Sequence, residues 1–192
     1  MSYSFIRRAY LFFKKDKFSL RKKEFYKIVV ARSDITAALK ACELFLSTVK
    51  DLGDDSYFPL LNAIIVCYSR PFSKNKPLGP LPKKWHRFDN GRFQEVHETI
   101  LELRNKTVAH SDLEIRKVFI IPKGTPVRKT GIRSEALGVG ISNRALPMEI
   151  FPEIRATCFD LGRRLNVEVK EQLELLFRDK DLPQEEFELT FD

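Results

Sequence analysis

Between Met148 and Arg178 apolar side chains return every three or four residues, at Ile154, Cys158, Leu161, Leu165, Val169, Leu173 and Leu176. That spacing puts them on one stripe of a single long α-helix. Pro147 suits the start of such a helix, where its missing N–H costs nothing. A stripe of this length has to be buried along other helices, so the rest of the chain must supply them. The expected architecture is therefore a mainly α bundle closed by its last helix.

Two partner segments show the same period. Ser33-Asp34 reads as an N-cap, after which Ile35, Ala38, Leu39, Cys42, Phe45, Leu46 and Val49 keep helical spacing up to Gly53, a natural C′ stop. A second helix spans roughly Pro59 to Tyr68; Leu60, Leu61, Ile64, Ile65 and Cys67 make it apolar nearly all round, which implies a buried position. Pro71 ends it. From Pro71 to Asn90 the prolines at 71, 77, 80 and 82, with Gly79, impose a long loop. An amphipathic run, Phe93 to Leu103, begins near Asn90-Gly91 and is expected to continue as helix to about His110. The period then changes. Ile115 to Ile121 is β-branched and bounded by Pro122 and Gly124, with a weaker partner at Leu137 to Ile141, so a small β-hairpin appendage precedes the long C-terminal helix. Residues 1–178 read as one domain with a β-containing insertion at 113–145, and residues 179–192 as an acidic tail.

Charge is unevenly spread. The 192 residues carry a net +8, and from Met1 to Arg32 alone ten Lys or Arg stand against Asp16 and Glu24. A second block, Arg70 to Arg87, holds Arg70, Lys74, Lys76, Lys83, Lys84 and Arg87 with no acid. The tail from Asp179 reverses the sign. Such a balance favours an anionic partner. An apolar share of 43% excludes a disordered chain. Three scattered cysteines, Cys42, Cys67 and Cys158, form no CxxC pair and no disulfide framework, so reduced thiols in a cytoplasmic protein are expected. Tyr10 to Phe13 is too short for a signal-peptide core, and no apolar run approaches a membrane span.

Chemistry concentrates at Arg104-Asn105-Lys106-Thr107-Val108-Ala109-His110, where a permanent cation, a polar amide and an imidazole lie close together. Histidine titrates near neutrality and suits the role of a general base; the guanidinium fork of arginine stays charged and matches two phosphate oxygens. On a straight α-helix, however, residues six apart point about 120° from each other. Either the helix ends near Ala109 and His110 turns back, or two chains bring two copies together. The bland reading is that a histidine near a helix C-terminus answers the macrodipole. His97 shares the face of Arg104, though a packing role fits it better. His86, His97 and His110 have no metal-ligand spacing, and Gly138-Val139-Gly140 is too sparse for a phosphate cradle. Along the loop, Arg70 could reach the motif helix and Lys74, Lys83 and Lys84 could meet phosphates, as could Lys106. Phe72, Trp85 and Phe88 could stack bases, but pinning the loop to the core fits them better.

Over Phe93 to Asp112, and above all in Leu103 to Asp112, the chain resembles HEPN domains, small helical proteins that include RNA-cleaving toxins; the abortive-infection branch is the nearest likeness. The resemblance implies a HEPN-like helical bundle, with Arg104, Asn105 and His110 catalytic and no cofactor or metal. It implies RNA as substrate, cut to a 2′,3′-cyclic phosphate and a 5′-hydroxyl. It also implies a homodimer with a composite cleft and a cognate antitoxin of nucleotidyltransferase type. The alternative is a non-catalytic module of the same fold that binds RNA, nucleotide or protein.

Overall fold

The computed structural model of the chain describes residues 3–74, 78–108, 116–126, 133–143, 145–178 and 183–189. It is mainly helical, with a two-stranded antiparallel hairpin ahead of a long C-terminal helix. The helices are α1 (Tyr3–Thr48), α2 (Tyr57–Ser69), α3 (Gly91–Leu103) and α4 (Phe151–Phe177); the strands are β1 (Arg116–Ile121) and β2 (Gly138–Asn143).

Helices α1 and α4 run antiparallel and carry the core. On α1 the buried positions Ile28, Ala31, Ile35, Ala38, Cys42, Phe45 and Val49 recur every three or four residues, and on α4 Ile154, Cys158, Leu161 and Leu165 answer them. Contact is close. The Cys42 thiol donates to the Phe151 carbonyl at 3.4 Å, and a Cβ placed on Gly162 would lie 3.8 Å from an Ile35 methyl. The aromatic rings of Phe45 and Phe151 stack with centroids 3.6 Å apart, and Tyr57 meets both edge-on. Helix α2 is buried as its composition requires, through Tyr57, Leu61, Ile64, Ile65 and Tyr68.

Three boundaries differ from expectation. Ser33-Asp34 caps nothing, because α1 runs unbroken from Tyr3 to Thr48. The buried period already starts at Ile28, so burial outweighs the weak local preference of Ser and Asp for a cap. Gly53 is not a left-handed stop either. The chain turns earlier, through aspartates: Gly53 N–H donates to Asp51 Oδ1 at 2.7 Å and Ser56 N–H to Asp54 Oδ1 at 2.9 Å. Positive φ among the described glycines occurs at Gly79 and Gly124. On α4 a 3₁₀ turn, Met148–Ile150, precedes the helix, and Leu173 leaves the stripe at 44% exposure while Leu176 stays buried. A spacing of four residues repeated three times over-rotates a 3.6-residue helix, which carries Leu173 off the buried face.

The hairpin pairs Arg116 with Asn143 through Ile121 with Gly138, close to the expected strands. Its exit is tied to the bundle. Leu146 donates its N–H to Tyr57 Oη at 2.9 Å and accepts the Tyr57 hydroxyl at 2.6 Å, just ahead of α4. No described helix is long and apolar enough to cross a membrane.

Candidate functional site

Helix α3 starts where its sequence says it should. The Asn90 side chain accepts from the N–H groups of Arg92 at 2.9 Å and Phe93 at 3.3 Å, satisfying two of the donors a helix start leaves free. Arg92 then ties the helix to α4 through Glu153 at 2.6 Å, with Glu95 on its own helix at 2.8 Å. Val96, His97 and Ile100 face inward. The α-helix does not continue to His110. At Arg104 it passes into a π-helical turn, Arg104–Val108, so the five residues that open the motif adopt the wider i→i+5 winding.

This change of winding sets what the site presents. Arg104 is half-buried and Asn105 exposed. The Arg104 guanidinium donates to Asn105 Oδ1 at 3.2 Å, which leaves the amide NH₂ of Asn105 as the outward donor. Both line an open cavity of about 360 Å³ with Leu101, Phe72, Ser73 and Lys74. Arg104, Asn105 and Lys74, chosen from the sequence on separate grounds, thus share one wall. Lys106 pairs back with Glu102 one turn earlier. His110 lies outside the described residues.

The other expected phosphate contacts are spread out. Arg70 meets Asp34 of α1 at 3.3 Å. Lys83 is exposed on a 3₁₀ turn, Lys83–His86. Lys84 pairs with Glu168 of α4 at 2.8 Å, and that contact holds the Glu168 carboxyl below its usual range against the upward push of burial. Lys84 and Trp85 belong to a separate cavity of about 400 Å³ between α1, α4 and the loop, away from Arg104.

The loop aromatics pin rather than stack. Trp85 is 3% exposed, Phe72 and Phe88 pack on the core, and Arg164 lies over both Trp85 and Phe88 while donating to the carbonyls of Arg87 and Lys84. Leu81 N–H reaches back to the Pro71 carbonyl at 2.7 Å. His97 is the centre of this arrangement. It is buried, its Nδ1 lies 3.0 Å from Tyr68 Oη, and the rings of Phe72, His86 and Phe88 surround it. Desolvation, reinforced by the charge of His86, pushes its pKa down to about 4. His97 is therefore neutral near pH 7 and fixes the loop to α3. The sequence marked it as a packing residue but gave no sign of its partner, because Tyr68 is distant in the chain. Ser73 was likewise missed; only its position just after the Arg70–Phe72 turn could have marked it.

Burial drives the Cys42 thiol up to about 12 and Cys158 higher still, so neither is a nucleophile; all three cysteines are free. Among the described residues no group of three His, Cys, Asp or Glu is placed to hold a metal. Comparison with protein-family models, curated proteins and solved structures finds no match to this chain.

Proposed function

We propose that the chain is a metal-independent endoribonuclease of HEPN toxin or abortive-infection type, acting in the cytoplasm as a homodimer in phage defence. What supports it above all is the π-helical turn at the motif, which puts Arg104 and Asn105 on one open cavity with Lys74. Interruptions of this kind in a helix occur often at functional sites. A cavity walled by a guanidinium, an ammonium and a free amide donor is suited to a phosphodiester.

In this mechanism Lys74 and Asn105 hold the phosphate, and the Arg104 fork takes the charge that builds on its oxygens. His110 takes the proton of the 2′-hydroxyl. The 2′-oxygen bonds to phosphorus, the bond from phosphorus to the 5′-oxygen breaks, and that oxygen leaves with a proton from a water, which the His110 imidazolium replenishes with the proton it took. A 2′,3′-cyclic phosphate and a 5′-hydroxyl result. A second copy completes the cleft, and an antitoxin of nucleotidyltransferase type is the expected regulatory partner.

The test is cleavage of RNA in EDTA. Wild-type protein cuts it, His110→Ala does not, and the same RNA with a 2′-O-methyl group at the cut site is bound but left whole. Cleavage that requires magnesium, or that proceeds equally on DNA, rejects the mechanism. Salt-sensitive binding without cleavage under any condition assigns the chain to a non-catalytic binding module instead.

A further inference from the structure

The cavity at Arg104 is lined by two kinds of side chain. Lys74, Arg104 and Asn105 bring cations and an amide donor, whereas Phe72 and Leu101 are apolar; the sixth, Ser73, has its hydroxyl engaged by the Ser69 carbonyl at 2.9 Å. None of the six is acidic. The cavity beside Trp85 differs: there Arg21 and Lys84 are matched by Glu24 and Glu168, and Lys84 is already paired with Glu168. Of these two cavities, the charge of the first alone favours an anion.

The apolar part adjoins the charged part closely. Leu101 stands three residues before Arg104 and four before Asn105, one turn away on the same side of the helix. Phe72 stands two residues before Lys74. At about 360 Å³ the cavity is near the lower end of small-ligand sites, a size for one nucleotide rather than for a length of helix. Phe72 is also set in place before any ligand arrives. The rings of His97, His86 and Tyr68 lie 4.7, 4.8 and 5.8 Å from it, centroid to centroid. Pinning the loop does not use up its surface: unlike Trp85, it is only partly buried, and it lines the cavity. A fixed aromatic side chain meets a base without first losing rotamer freedom.

We infer that this cavity takes one unpaired RNA nucleotide, its base packed against Phe72 and Leu101 and its phosphate on Arg104, Asn105 and Lys74. The inference rests on the reading of the cavity as the phosphodiester site and adds what selects the strand. In an A-form duplex the bases are stacked inside and the phosphates lie outside, so a base face does not reach an apolar wall that adjoins the phosphate contacts. In a loop, a bulge or a single strand the base is free to splay out and pack there. Unpaired RNA is accordingly the substrate class, and Phe72 and Leu101 are the residues that set it.

Fluorescence anisotropy of the full-length chain with two short labelled 2′-O-methyl strands tests this, one bearing bases and one abasic but equal in charge. Wild-type protein binds the base-bearing strand about tenfold more tightly. Leu101→Asn and Phe72→Leu lower that affinity toward the abasic value and leave the affinity for the abasic strand as it was, which also shows that each variant is folded. Arg104→Ala weakens both strands alike. Annealed to its complement, the base-bearing strand loses its sensitivity to Leu101→Asn. Equal binding of the two strands by the wild type, equal losses on both strands in Leu101→Asn and Phe72→Leu, or a duplex as sensitive as the single strand overturns the inference. Displacement of the base-bearing strand by a glutamate-rich peptide as readily as by its own unlabelled form also overturns it, in favour of an acidic protein partner. The underlying phosphate reading is judged separately: it stands if Arg104→Ala weakens both strands and fails if that variant changes neither.

Discussion

At Arg104 the distinction between structure and chemistry is open to direct measurement. Its side chain is half-buried and makes its described hydrogen bond to the neighbouring Asn105, so Arg104→Ala should cost no more than about 1 kcal/mol of stability. Cleavage should nevertheless be abolished in Arg104→Ala, and also in Arg104→Lys, because a point charge does not reproduce a two-pronged contact to phosphate. If Arg104→Lys cleaves as wild type does, the fork geometry is irrelevant. His97 offers a second measurement. Its pKa falls from the ordinary 6.5 to about 4 on burial among rings, with His86 and Arg164 opposing its charge and Glu98 favouring it. The unfolded chain therefore binds a proton, between those two values, that the folded chain refuses. Stability contributed by the neutral ring is fully present above pH ~7 and should fall by ~3 kcal/mol as pH drops toward 4. Urea midpoints at the two ends of that range, in the wild type and in His97→Gln, check it: the variant should lose most of this slope.

At the scale of the element, the loop between α2 and α3 behaves as a fixed wall rather than a flap. Trp85 is buried, capped by Arg164, and its neighbours bind backbone groups on both sides. Trp85→Ala should cost about 3–5 kcal/mol, visible as a lower melting temperature, and should also disturb the cavity at Arg104 because Phe72 and Lys74 sit at the loop's other end. A shift in melting temperature of no more than a degree would mean that the ring merely covers the surface. The aromatic pinning of this loop was legible from its composition, since a proline-rich segment carrying Phe72, Trp85 and Phe88 has few other anchors. What they pack against was not legible, because Arg164 and His97 come from helices remote in the chain. The ends of α1 were misjudged for a related reason: Ser33 and Gly53 have only local preferences, and burial along α4 overrode the first while two aspartate turns replaced the second.

For the whole molecule, the composite-site model makes a demand on assembly. Two chains meeting at the Arg104 surface should bury about 1,200 Å² or more in total, and sedimentation at micromolar concentration should give a dimer. A pure monomer would remove the geometric basis for the two-chain cleft.

Periodicity determined much of this protein before any coordinates. The stripe on α4, the apolar α2, the start of α3 near Asn90-Gly91 and the change of period at the hairpin are all local patterns, and local patterns are what backbone geometry reads directly. Charge asymmetry and the run from Arg104 to Lys106 were equally visible. Only the tertiary structure decided that Lys74 shares a wall with Arg104 and Asn105, that Arg70 turns to Asp34 and Lys84 to Glu168, and that His97 is held by Tyr68. It also placed the π-helical turn at the motif itself. Those outcomes depend on which side chains meet across helices far apart in sequence, and on a hydrogen-bond register that no single residue's preference specifies.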